Sequence, residues 1–293
     1  MIDPKKMDQS ILTSLDDLLT LAFQVPQELG RDALRRSFYD DFPVWRPGAS
    51  SECRIWVTLD PQGGVAATAG VRLAHLRREG GQVISIALIG AVATRPSERG
   101  RGLANDLIHA GVDFAKSQKV DAVVLWDSSE SGLYQRLGFK PLSGEYLMRL
   151  EPFVSEGTLP PRAQYQTGWD DSIYRLLQGR SSGIRLEHKD LDWYRRHKNT
   201  QWHWIKQGKD CLACCAIGRG IDLNGIVHEW HGDMKLLSIL FSAVNKRAPG
   251  ALLMGPRAPS GTIEYQKNIQ GMILPLVPSL EWSDWWFWGL DAC

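Results

Sequence analysis

The run from Val92 to Ala104, VATRPSERGRGLA, constrains the fold of this chain more than any other segment. It follows an apolar stretch, Val83 to Val92, that reads as a strand. It opens an amphipathic helix with Leu103, Leu107, Gly111 and Phe114 at helical spacing. A strand, a glycine-rich turn and a helix start in succession make an anion site. The first backbone N–H groups of a helix have no intrahelical partner, and the helix dipole favours negative charge there. Gly100 and Gly102 let the backbone come close to a bulky phosphate, and Arg99 and Arg101 add positive charge.

Several phosphate-binding loops use this physics, and spacing separates them. A P-loop needs a Lys followed by Ser or Thr after its last glycine, and this run has no such Lys. A dinucleotide fingerprint needs a third glycine where this chain has Asn105. What remains is R-x-x-G-x-A, from Arg99 through Gly102 to Ala104. It resembles the pyrophosphate loop of the GNAT superfamily, the acyl-CoA-dependent N-acyltransferases. A second block carries the same resemblance. Ala122 to Trp126 reads as a short buried strand, and after it Leu133, Tyr134, Gly138 and Phe139 fit the superfamily's L-Y-x-x-x-G-F. Taken alone, that block is also a helix with an aromatic residue and a glycine C-cap. The two blocks in this order and at this distance resemble GNAT enzymes.

Composition sets the bounds. With 293 residues the chain has room for two domains. A net charge of +1 gives no global argument for nucleic acid or an anionic membrane, and 43% hydrophobic with 23% charged residues suits a soluble globular protein. No signal peptide and no transmembrane run of about 20 apolar residues is read, so the expected location is the cytoplasm. Five cysteines, an odd number, argue against a disulfide framework. Cys211 and Cys214 have C-x-x-C spacing, but nothing nearby completes a zinc site; with Cys215 they read as small apolar residues of a buried strand, and no metal is expected.

The expected class is α/β (α+β): two GNAT-like mixed-sheet domains in tandem, each with a mostly antiparallel central sheet flanked by helices. In residues 1–152, helices over Ile11–Phe23 and Arg31–Tyr39 precede strands over Arg54–Leu59, Gly64–Leu76 and Val83–Thr94. The helix and strand of the two motif blocks follow, then a final strand near Tyr146–Leu150. Leu159-Pro160-Pro161 breaks the chain. Residues 162–293 carry nine of the twelve tryptophans and repeat the element order. Helices are expected over Asp170–Leu177, Leu191–Asn199 and Met234–Asn245, and strands over Gln201–Lys206, Asp210–Arg219, Gly225–Trp230 and Ala251–Met254. There the turn is Trp230-His231-Gly232-Asp233, which sets a carboxylate where phosphate would sit. This half reads as a degenerate second GNAT-like domain without CoA. Tandem arrangements occur in the superfamily, as in mycothiol synthases.

The resemblance implies an N-acetyltransferase with acetyl-CoA as cosubstrate and an amine acceptor, and no nucleic-acid or membrane partner. The backbone of Val92, Ala93 and Thr94 would pair with pantetheine. The N–H groups of Arg99, Gly100, Arg101, Gly102, Leu103 and Ala104 would face the pyrophosphate. The Arg99 and Arg101 guanidinium groups either contact phosphate or are solvated surface charges. Tyr134 holds the family's general-acid position, with a core tyrosine as the structural alternative. The strand Ser85–Ala93 offers no carboxylate or imidazole as base. Asp127, Glu130 and His75 are relay candidates. Asp127 and Glu130 also have capping-box spacing, and the Cys293 carboxylate is a further candidate. Asp40, Asp41 and Trp45, with Trp56 nearby, are the expected acceptor wall, since carboxylates and aromatics suit a cation. An acidic turn pinned by a tryptophan is the alternative. His228, Glu229 and His231 are not a metal site on strand geometry, because neighbouring residues face opposite ways. Exposed tryptophans would favour a homodimer. An acetyl-CoA-binding sensor and an aminoacyl-tRNA-dependent transferase are the competing readings. The intact loop and the lack of a basic stripe oppose the second.

Overall fold

The computed structural model describes residues 7–23, 37–127, 132–142, 145–155, 157–220, 222–255, 265–268 and 271–291. Helix α1 (Gln9–Ala22) starts where the Asp8 carboxylate accepts from Ile11 N–H at 2.9 Å, and it buries Ile11, Leu15, Leu18 and Leu19 along one face. Of the second expected helix only α2 (Phe38–Asp41) falls among the described residues; positions 24–36 lie outside them. A meander follows, β1 (Cys53–Leu59), β2 (Val65–Arg77) and β3 (Val83–Thr94), all antiparallel. Helix α3 (Leu103–Ser117) then crosses to β4 (Ala122–Trp126), which runs parallel to β3, as parallel neighbours require a crossover. The short α4 (Leu133–Arg136) and β5 (Lys140–Pro141) come next.

The strand expected near Tyr146–Leu150 forms, as β6 (Glu145–Arg149), but it leaves the first sheet. The second half contains β7 (Ala163–Thr167), α5 (Asp171–Gln178), β8 (Gly183–Ile184), α6 (Leu191–Tyr194), β9 (Gln201–Gln207), β10 (Asp210–Ile217) and β11 (Ile226–Gly232). These are followed by α7 (Met234–Arg247), β12 (Leu252–Gly255), β13 (Tyr265–Asn268) and β14 (Gly271–Pro275). Among the described residues the first sheet runs β1-β2-β3-β4-β14-β5, with β8 on β2, and the second runs β13-β6-β12-β11-β10-β9-β7. The halves thus exchange strands. β14 fills the gap between β4 and β5, with Gly271 opposite Trp126 and Pro275 opposite Ala122. β6 fills the matching gap between β12 and β13, with Leu252 opposite Arg149 and Gly255 opposite Tyr146. Neither sheet is continuous without a strand from the other half. Each sheet has one parallel pair, β3–β4 and β11–β12; the other pairs are antiparallel.

The core is shared as well. Leu15, Leu19, Trp45 and Ala91 of the first half lie in one buried cluster with Ile173, Trp193, Trp202, Trp204 and Cys214 of the second. None of the nine tryptophans of the second half is exposed, so they give no surface argument for a dimer. Cys211, Cys214 and Cys215 are buried and unbonded on β10, where they pack as small apolar side chains. The helix expected over Leu191–Asn199 stops at Tyr194. Beyond it, Lys198 N–H donates to the Asp40 carbonyl at 3.0 Å, a contact with α2 that replaces further helix. No described helix is long and apolar enough to cross a membrane.

Candidate functional site

The β3–β4 pair holds register only from Ile86 opposite Ala122 to Leu88 opposite Val124, while β3 itself runs on to Thr94. A bulge drives the divergence. Gly70 of β2 faces Gly90 and Thr68 faces Ala93, so Ala69 alone opposes both Ala91 and Val92. Ala91 takes φ 51, a left-handed conformation that bends the strand. Past Leu88, therefore, the edge of β3 turned toward β4 has no strand beside it among the described residues, and Val92, Ala93 and Thr94 lie along that edge. The result is a V-shaped notch.

The turn into α3 lies at the end of this edge. Arg95 is fixed from below by Asp60, 2.7 Å from its guanidinium, and its N–H donates to the Ala66 carbonyl at 2.8 Å. Pro96–Glu98 make one tight turn, and then Gly100 (φ 79) and Gly102 (φ 80) take left-handed conformations that suit glycine. Gly102 is the N-cap of α3, with no side chain bonded over the helix start. A Cβ added at Gly100 or Gly102 would have no neighbour within 4 Å, so the backbone here is open to a large partner. The first carbonyl taken up by the helix is that of Gly102, which accepts from Asp106 N–H at 3.1 Å. The earlier N–H groups, of Leu103, Ala104 and Asn105, lie in the uncapped first turn, where the positive end of the dipole is concentrated. The two guanidinium groups behave differently from each other. Arg101 pairs with Glu98, and Arg99 Nε donates to the Thr94 carbonyl at 3.4 Å.

On the far side of the notch, Tyr134 of α4 is 9% exposed and packs edge-on to Phe139 at 5.9 Å. It belongs to a cluster with Ala87 and Ile89 of β3 and Val123 and Leu125 of β4. Burial, and then the nearby Asp127, hold its hydroxyl well above the usual phenol range, so it is protonated at neutral pH. Asp127 immediately follows β4 at the notch end. His75 does not share that position: it pairs with Ser85 near the start of β3, about 30 Å along the strand from Thr94 at about 3.3 Å per residue. Glu130 and Cys293 lie outside the described residues.

The acceptor-wall candidates are engaged elsewhere. Trp45 is fully buried in the shared core and presents no ring to a cleft. Asp40 binds Lys198 Nζ at 2.8 Å, and Asp41 accepts from the Asn199 amide, so both carboxylates fasten α2 to the second half. Trp56 packs on Phe114 of α3 at 5.5 Å.

Sequence reasoning missed the knot at the chain's end. Arg180, 6% exposed, pairs with Asp291 and lies 3.6 Å from Glu229. Asp291 also accepts from Ile184 N–H at 2.9 Å and Trp288 N–H at 3.1 Å. Glu229 was singled out in the sequence, but nothing in the sequence points across to Arg180. Among the described residues no group of three or more His, Cys, Asp or Glu is placed to hold a metal ion.

Comparison with known proteins bears on this geometry. Residues 3–142 match the family described as Acetyltransferase (GNAT) domain. No curated protein matches the chain. Among solved structures, a probable N-acyltransferase of Enterococcus faecalis superposes with a TM-score of 0.63 at 15% identity, covering 94% of this chain and 73% of the other. A putative acetyltransferase from Pyrococcus horikoshii gives 0.56 at 11% identity, covering 98% and 97%. A tandem GNAT protein from the clavulanic acid biosynthesis pathway gives 0.50 at 12% identity, covering 93% and 97%. At these identities the structures speak for the fold, and the family match carries acyl transfer as the general chemistry. Residues 3–142 belong to the GNAT acetyltransferase domain family, and the chain as a whole shares the fold of these structures.

Proposed function

We propose that the protein is an N-acetyltransferase that moves an acetyl group from acetyl-CoA to a primary amine, either a small amine or a peptide amine. The observation that carries this reading is the uncapped start of α3 behind Gly100 and Gly102, set at the open edge of β3. The N–H groups of Arg99 through Ala104 hold the pyrophosphate, and the backbone of Val92, Ala93 and Thr94 pairs with the pantetheine arm, which enters the notch as an added edge. Residues 1–152 carry the catalytic site and 162–293 the degenerate half, each completed by a strand from the other. Unbonded cysteines fit a cytoplasmic location.

In the reaction the amine nitrogen attacks the thioester carbon. The C–N bond forms, the C–S bond breaks, and the sulfur leaves as thiolate. Tyr134 hands its phenolic proton to that sulfur and is reprotonated from solvent. Its raised pKa keeps the proton in place until a thiolate develops beside it. The proton lost by the ammonium leaves through water, and Asp127 is the described carboxylate near Tyr134 that can take it up. No acid or imidazole on β3 performs this step directly.

The absence of a strand carboxylate favours a second reading, a non-catalytic acetyl-CoA-binding sensor. Release of free CoA thiol, assayed with a panel of alkyl, aryl and peptide amines, separates the two. Thiol release dependent on at least one amine supports the transferase. Acetyl-CoA binding with no release on any amine supports the sensor.

A further inference from the structure

The second half has a notch of its own, and it is built for a different ligand. β11 and β12 pair only at Ile226–Leu252 and Val227–Leu253 before they part, as β3 and β4 do. Beyond the parting lies a cavity of about 760 Å3, within the size range of small-molecule sites. Its described walls include Trp230 of β11 and Trp285, Trp286 and Trp288 of the C-terminal segment. Trp230 and Trp286 each stand near-perpendicular to Trp288, at 5.2 and 5.4 Å. The Trp230 N–H donates to the Met254 carbonyl at 2.8 Å and the Trp288 N–H to the Ser182 carbonyl at 3.0 Å, so these rings are fixed in orientation.

Electrostatics exclude an anion. The helix that follows β11 is capped: Asp233 accepts from Lys235 N–H at 2.8 Å, filling the place where phosphate sits in the first notch. No Lys or Arg is among the described lining residues, whereas Glu79 and Asp284 are. Arg78 holds Asp284 from outside the cavity, at 2.7 Å. Arg180, behind His231, is taken up by Asp291 and Glu229. His231 packs tilted against Trp288 at 4.5 Å and is neutral, its pKa lowered to about 3 by burial and then by Arg180. The cavity is lined by indole rings, which attract cations through their quadrupole, together with apolar side chains such as Met148, Phe241 and Leu253, and with Glu79 and the Arg78-bound Asp284 at its wall.

We propose that this tryptophan-lined cavity between β11 and β12 is a second small-molecule site, selective for a compact organic cation with an apolar body. The site is independent of acyl-CoA. The Trp285 ring lines the cavity and also packs in the cluster of Ile86, Leu88 and Val124, the strands of the first notch.

The test uses benzyltrimethylammonium, with benzyl alcohol as its neutral and phenylacetate as its anionic counterpart. Calorimetric titration and tryptophan fluorescence follow binding to the full chain. Saturable 1:1 binding of the cation, at least tenfold tighter than either counterpart, is expected. Met234→Lys at the exposed rim should weaken the cation at least tenfold and leave benzyl alcohol unchanged, without disturbing the fold. Gly102→Glu should leave cation binding intact, which separates this site from the acyl-CoA reading. Equal binding of all three probes, preference for phenylacetate, no saturation by 10 mM cation or indifference to Met234→Lys each overturns the proposal.

Discussion

At the end of β3 the chain turns through Gly100 and Gly102 into α3 with no side chain over the helix start. At the end of β11 it turns through Gly232 into α7 under the Asp233 carboxylate. Both helices follow a strand that parts from its parallel neighbour after two or three paired residues. The backbone frame is therefore common to the two notches, and what decides their ligand chemistry is what the sequence places at the helix start and on the walls. A glycine N-cap leaves the dipole for an exogenous anion. An aspartate N-cap consumes it and frees the notch for aromatic side chains. Strand exchange ties the two together, each sheet being completed by a strand of the other half.

The largest expected effect concerns what closes the second notch. Asp291→Ala strips Arg180 of its closest partner and removes the acceptor for two N–H groups, beneath the segment that carries Trp285 to Trp288. Breaking a buried ion pair from one side costs about 3–5 kcal/mol, read as a fall in urea midpoint. A loss under about 1 kcal/mol would mean the knot is solvated. Because the sheets share strands, both halves should unfold in one transition, and two transitions would break the account of a joint fold.

At the first notch, Tyr134→Phe should lower kcat about a hundredfold, leave the acetyl-CoA Kd unchanged and leave the fold intact. An unchanged kcat returns Tyr134 to a purely structural role beside Phe139.

Acidification probes the second half selectively. Burial lowers the pKa of His203 to about 4 and of His228 and His231 to about 3, and it lowers that of His197 well below its ordinary value. Unfolded, each takes up a proton below about pH 6.5, so stability is lost as pH falls through that value. Glu229, raised to about 7 by burial, acts in the opposite direction, and so does Asp291, because both hold protons more tightly when folded. Each such histidine loses about 2 kcal/mol between pH 6.5 and 4.5 and each such carboxylate returns a similar amount, so with four against two stability should fall by roughly 4 kcal/mol. A flat or rising profile over that window would contradict the buried neutral histidines.

The smallest effect separates the two helix starts. Asp233→Ala should cost about 1 kcal/mol through loss of the cap, with no gain of acetyl-CoA binding, because the walls of that notch remain aromatic. Acquired binding of a second acetyl-CoA would show that the cap alone sets the difference.

Much of this was legible in the chain. The strand Val83–Thr94 has the expected ends, and the helix after Gly102 begins at Leu103, because glycine spacing and apolar periodicity are local signals. Partner choice is not local. Tyr146–Leu150 reads as a strand, but nothing in its alternation says which sheet it joins, and the strand at Gly271–Pro275 is not among those expected at all. Trp45 beside Asp40 and Asp41 has the composition of a cation wall, yet residues near position 198 bind both acids and the ring enters the shared core. The tryptophans at 285–288 announce burial, and their role as cavity walls depends on β11 and β12 parting beneath them.

The central claim is that acyl-CoA is held at the first helix start and not at the second. Calorimetric titration of acetyl-CoA into the wild type and Gly102→Glu tests it most directly, with circular dichroism confirming that the variant folds. The account predicts one site per chain with micromolar affinity, lost in the variant, whose carboxylate occupies the open space before α3. No binding to the wild type, a second site, or unchanged affinity in Gly102→Glu would contradict it.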